Sequence, residues 1–177
     1  MKTHDFALVV ISSKELDADG VCDLANQLFE AGAEDCTVGS SGKNIILEFD
    51  READSYQDAV LSAIQEVKTI NDIEIKSLDA GQFVGLSDAA EMSNLTRAAL
   101  SSFSKGTRGD GTFPTPYLRV SSKSPLYDWA EIADWLEARG YVEHGIADNA
   151  RFTSQINMAL KLKHGSLGEV TQLVSLI

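Results

Sequence analysis

A chain of 177 residues, 44% hydrophobic and 24% charged, has the composition of a globular protein and the length for one domain or two small ones. No stretch approaches the roughly 20 apolar residues that span a bilayer, and Met1 to Asp5 lack the pattern of a secretion signal, so the expectation is a cytoplasmic protein without a membrane segment. The net charge of −12 argues at first against nucleic acid, yet it is unevenly spread: residues 1–80 hold six basic and seventeen acidic side chains, whereas residues 94–127 hold Arg97, Lys105, Arg108, Arg119 and Lys123 against the single acid Asp110.

The first half reads as strand, helix, strand, strand, helix, strand. Phe6 to Ile11 is a continuous apolar run, expected as a central strand buried on both faces. Val21, Leu24, Ala25, Leu28 and Phe29 recur at helical spacing within Asp19 to Ala31, and Gly32 is the expected stop. Cys36 to Gly39 and Asn44 to Phe49 flank a turn built around Gly42 and form a predicted hairpin whose second strand is central. Tyr56, Ala59, Val60, Ala63, Ile64 and Val67 mark a second helix, and Ile73 and Ile75 alternate with Glu74 and Lys76 in an edge-like strand. The order βαββαβ is that of a ferredoxin-like unit, with an antiparallel sheet and both helices on one face, so the fold class is α+β. Cys22 and Cys36 have no metal-ligand spacing and lie in segments that look core-facing; both are expected to be buried free thiols.

Asp79, Ala80 and Gly81 form a polar break, which divides the chain into a first domain at 1–80, a second at 82–140 and a helical tail at 141–177. In the second domain Ser87 is the expected cap of a short helix, Ala89 and Ala90 let a neighbouring helix approach, and Met92 fills the angle between them. Asn94 suits a left-handed turn, Leu95 buries behind it, and Thr96 caps the next helix, at about 96–105. Ala99, Leu100 and Phe103 form that helix's inward stripe, leaving Arg97, Ala98, Ser101 and Ser102 outward. Small outward residues with an Arg in the first turn are what a helix lying in a major groove requires.

From Ala89 to Leu100 the residues resemble, without a gap, the MerR-type and excisionase (AlpA-like) winged helix-turn-helix families, whose core reads roughly Ala-Ala-Glu-Leu-Leu-Gly-Val-Ser-Arg-Ser-Thr-Val followed by an aromatic. The resemblance continues through Phe113-Pro114-Thr115-Pro116, a segment from Tyr117 to Tyr127 and a helix from Trp129 to Ala138, and covers about a third of the chain. It implies a double-stranded DNA reader with a hairpin wing at about 117–127 that sets Arg119, Ser122 and Lys123 on the sugar-phosphate backbone. Asn94 stands where the families usually have glycine, and the loop Lys105 to Gly111 is longer and more glycine-rich than in many relatives; it is read either as a phosphate clamp or as a mobile connection. Asp128 and Glu131 fit a capping box, and Trp129, Ile132, Ala133, Trp135 and Leu136 are expected core.

His4, His144 and His164 are scattered, with neither a phosphate loop nor a nucleophile with its base, so no enzyme, cofactor or metal is expected. A helix from Asn149 to Lys163 is followed by an amphipathic end whose Leu167, Val170, Val174 and Ile177 share one stripe; it either packs on its own chain or forms a dimer seam. Together these features give the expectation of a dimeric, sequence-specific transcriptional regulator, a repressor that reads a palindromic operator. Two alternatives stand beside it: an antitoxin-like adaptor whose acidic first domain engages a protein partner or small effector, and an architectural, excisionase-like DNA protein.

Overall fold

The computed structural model describes every residue, Met1–Ile177, and the chain divides into two compact units, 1–80 with 155–177 and 81–154. The boundary falls at the polar break, but the tail is no unit of its own. Residues 141–154 belong to the second unit and 155–177 to the first. The chain is α+β, with a four-stranded antiparallel sheet, a two-stranded pairing and seven helices. No helix is long and apolar enough to cross a membrane.

In the first unit β1 (Lys2–Ser12), β2 (Cys36–Ser41), β3 (Asn44–Ala53) and β4 (Ile73–Asp79) lie in the order β2-β3-β1-β4, every neighbour antiparallel. α1 (Ala18–Glu30) connects β1 to β2, and α2 (Tyr56–Val67) connects β3 to β4. Both helices start where a side chain captures an orphan backbone donor: Asp17 accepts from the Gly20 N–H, and Ser55 accepts from the Asp58 N–H. Between β2 and β3 the turn is closed by Gly42, whose φ of +63° a side chain would resist. β1 and β3 are central, and β4 is an edge.

Phe6, Leu8 and Val10 of β1 and Ile45, Leu47 and Phe49 of β3 are buried on the sheet face that also buries Leu24 and Leu28 of α1 and Ala59, Val60, Ala63 and Val67 of α2. The intervening residues Ala7, Val9 and Ile11 are half-buried or exposed, so β1 is covered on one face rather than two. Its unbroken apolar run hides an ordinary period-2 strand. In β4 the two core residues, Ile75 and Leu78, are three apart and would point to opposite faces of a regular strand. A register shift opposite Val9 and Val10 turns both inward.

The α1 stripe is narrower than its spacing predicts. Ala25 is exposed, Phe29 is 60% exposed, and Cys22 lies on the outer side of the helix, so the expectation that Cys22 is buried is corrected. Cys36 is half-buried, and burial pushes its thiol up to about 12.

The second unit begins with β5 (Phe83–Val84), α3 (Leu86–Ser93) and α4 (Arg97–Ser104), and continues with β6 (Tyr127–Asp128), which pairs with β5, and α5 (Trp129–Glu137). Its core joins Ala89, Ala90, Leu100 and Phe103 to Phe113, Tyr127, Trp129, Ile132, Trp135 and Leu136. α6 (Ile146–His164) starts in this unit, with Ala147 and Ala150 in the same core, and its later turns belong to the first unit. α7 (Leu167–Val174) closes the chain.

Candidate nucleic-acid interface

The α3–α4 pair is set by capping. Gly85, not Ser87, is the cap of α3: the Asp88 carboxylate reaches back to the Gly85 N–H, and Ser87 sits exposed inside the first turn. α3 ends at Asn94, left-handed at φ 53°, where the Leu95 N–H donates to the Ala90 carbonyl across the turn. Thr96 is extended and its hydroxyl accepts from the Ala99 N–H at 3.1 Å, which starts α4. Met92 does not fill the interhelical angle; it is partly exposed and lies over Gly81, where an added Cβ would collide with its Sδ and Cε. The Ser93 hydroxyl is buried and donates to the Ala89 carbonyl at 2.6 Å.

Leu100 and Phe103 are buried on the inner side of α4, with Ala99 packed at their edge. Thr96, Arg97 and Ala98 are exposed, while Ser101 and Ser102 are half-buried. Ser102 donates its hydroxyl to the Ala98 carbonyl, so the helix itself occupies that donor. Arg97, Ser101 and Lys105 fall at i, i+4 and i+8 and share one outward line. Every other helix in the chain carries a carboxylate in its first turn: Asp19, Asp58, Asp88, Glu131, Asp148 and Glu169. α4 has none and places Arg97 there instead.

The glycine-rich loop is tied to α4 and α5 by a set of local contacts. The Thr107 and Arg108 N–H groups donate to the Ser102 carbonyl, and the Arg108 guanidinium lies over the Phe103 ring, 5.0 Å from its centre. Gly109 sits at φ +82°, a conformation that favours glycine, and a Cβ there would crowd Phe103 at 3.3 Å. Asp110 accepts from the Thr112 N–H and hydroxyl and from Arg139, at 2.6 Å, and these donors hold its carboxyl well below the usual range. Arg139 in turn lies over Trp135, 4.1 Å from the ring centre, and the Trp135 indole donates to Thr112. The one acid of the basic segment is thereby neutralised from outside it.

Residues 117–126 form a hairpin closed by one bridge, Leu118 to Leu126, rather than the two-stranded wing expected over 117–127. Tyr127, at its far end, belongs to the β5–β6 pairing. Arg119 bends the tip at φ 53°, and the Ser122 N–H donates to the Arg119 carbonyl at 2.9 Å. Ser122 uses its hydroxyl to hold the Ser124 N–H. Arg119, Ser122 and Lys123 are exposed at this tip. They are joined to α4 through neither a hydrogen bond nor an ion pair.

The second unit holds seven Lys and Arg residues. Arg139 pairs with Asp110, and Arg151 pairs with Asp134 and Asp148; the other five, Arg97, Lys105, Arg108, Arg119 and Lys123, make no ion pair. Sequence reasoning missed the exposed apolar side chains beside them, Tyr117, Leu118 and Val120, and the service Arg139 performs. The alternation in Tyr117-Leu118-Arg119-Val120 was a usable signal for the first; the second joins residues 29 apart and has none. Comparison with protein families, characterised proteins and solved structures finds no match to this chain.

Proposed function

We propose that the second unit is a winged helix-turn-helix module that binds double-stranded DNA, with α4 in the major groove and the 117–126 hairpin along the backbone. The observation that carries this reading is the first turn of α4. The N-terminal end of a helix is positive, so an acid there stabilises and a base costs about 0.3–1 kcal/mol. Six helices follow that rule, and α4 departs from it with an unpaired Arg97 beside open N–H groups. A phosphate docked there would satisfy both. The five unpaired cations, all within 94–127, add the charge that phosphate contact requires.

On this reading the chain is a sequence-specific transcriptional regulator, a repressor acting in the cytoplasm, and its first unit is a ferredoxin-like accessory domain. The strand order β2-β3-β1-β4 with two crossing helices supports that assignment. The test is selection of genomic fragments by the purified chain near physiological salt, beside an Arg97→Ala, Lys123→Ala double variant. The expected result is one enriched motif with the native chain and its loss with the variant. Absence of any enriched motif would defeat the proposal.

A second reading has its own observation. On the open face of the sheet Asp5 stands directly opposite Asp50, Glu48 opposite Ala7, and Ala7 beside Asp79. Facing carboxylates are unfavourable in a sheet unless something positive covers them. An adaptor that engages a basic protein through this face is therefore the alternative, and a single stoichiometric protein in a pull-down, removed by Asp5→Asn with Asp50→Asn, would favour it.

A further inference from the structure

Leu167, Val170, Leu173, Val174, Leu176 and Ile177 are 59%, 40%, 60%, 63%, 75% and 103% exposed, and α7 has no buried residue. The amphipathic end therefore does not pack on its own chain, although its helix is complete and capped by Ser166, which accepts from the Glu169 N–H. A contiguous apolar surface on a well-formed helix marks a contact face.

We infer that α7 is the seam of a symmetric homodimer, in which two copies of the helix lie antiparallel. The argument is self-complementarity. A two-fold interface uses one patch twice, so residue i meets j and j meets i. Leu167, Val170, Val174 and Ile177 are separated by three, four and three positions, a spacing that reads the same in both directions. An antiparallel pair in register sets Val170 against the partner copy's Val174, and Leu167 faces the segment just past the partner helix, where Ile177 lies.

The area is adequate. Leu167, Val170, Leu173 and Val174 on the helix, with Ile177 just beyond it, expose of order 500–600 Å² per copy, so a pairing that covers all of it buries about 1,000–1,200 Å² at most, the lower end of stable interfaces. Glu169 is the one charged side chain between 166 and 177, so pairing desolvates little charge. A membrane surface fits less well, because the polar side of α7 offers Glu169, Thr171 and Gln172 where lipid-binding helices carry Lys and Arg. The symmetry is also what a palindromic operator would need.

Sedimentation equilibrium of the full chain over about 1–200 µM tests this. The expected result is a monomer–dimer equilibrium that weakens at least about 50-fold in a Val170→Asp, Val174→Asp variant, with the same thermal midpoint as the native chain at dilutions where both are monomeric, since neither side chain is buried in the monomer. Register is read by disulfide trapping in a Cys22→Ser, Cys36→Ala background. A mixture of Val170→Cys and Val174→Cys proteins should cross-link, and each alone should not. A monomer at all concentrations, a dimer that survives the double variant, cross-linking of each variant with itself, or sedimentation of the monomer with anionic vesicles would overturn the inference. The readouts contain no DNA, so they stand or fall apart from the nucleic-acid reading.

Discussion

Arg51 is the charged side chain that the first unit takes into its core. Its Nε and Nη2 donate to both Asp35 oxygens at 2.8 and 2.7 Å, Nη2 also to Glu66 at 2.6 Å, and Nη1 to Ser62 at 2.9 Å. The guanidinium also lies over Phe49, 5.2 Å from the ring centre. Removing it leaves two carboxylates facing each other, so Arg51→Ala is expected to cost about 2–4 kcal/mol of unfolding free energy, a buried-pair loss discounted for the partial exposure of Asp35 and Glu66. Urea denaturation reads this directly. The pH dependence follows from Asp35, which the hydrogen bonds from Arg51 hold below its ordinary value. A lowered carboxylate contributes stability above the ordinary value, near 4, and that contribution is lost as pH falls through the folded value. The native chain should therefore weaken on acidification below about pH 4, and the variant should show a flatter curve there. The sequence carried a trace of Arg51's place, since it continues the inward parity of Ile45, Leu47 and Phe49. Nothing local identifies Asp35 and Glu66 as the groups that make an inward arginine tolerable.

Among the elements, α6 shows how a free strand edge is closed. The Asn157 side-chain amide accepts from the Leu78 N–H at 2.8 Å and donates to the Leu78 carbonyl at 2.9 Å, so it stands in for a neighbouring strand. Two turns on, the His164 ring reaches the Ile75 carbonyl at 3.1 Å and also pairs with Glu74. Covering an edge in this way removes a template for further strand pairing. Asn157→Leu keeps the side-chain volume and strands both buried backbone groups, with an expected loss of about 1–3 kcal/mol in a urea titration. The helix itself was legible, predicted at Asn149 to Lys163 and found at Ile146–His164. Its partner was not, because the two bonded residues are 79 apart. α4 is the opposite case: its cap, its left-handed predecessor and its inward stripe lie within ten residues, and all three were readable.

Across the whole molecule, charge is segregated, with most acids in the first unit and the five unpaired cations in the second. If those cations contact phosphate, the affinity must fall with salt. Each phosphate contact removed should lower the magnitude of the log affinity against log salt slope by about 0.9. Lys123→Ala is expected to show that reduction with an unchanged sequence preference, and Arg97→Ala is expected to relax the preference as well. Fluorescence anisotropy on the selected fragment and a scrambled one separates the two.

What the sequence by itself determined is the βαββαβ order of elements in the first unit, the position of the boundary near Gly81, the hairpin at Gly42, the central place of β1 and β3, and the turn between α3 and α4. Capping, turn conformation and hydrophobic period are interactions among residues a few positions apart, so they are present in the sequence as spacing. Tertiary structure alone decided that β1 is covered on one face, that Cys22 faces outward, that a shifted register turns Ile75 and Leu78 both inward, and that Arg139 holds Asp110 and with it the glycine-rich loop. Each of these depends on which distant surface arrives opposite a given side chain, and periodicity specifies that a face is apolar without specifying what will cover it.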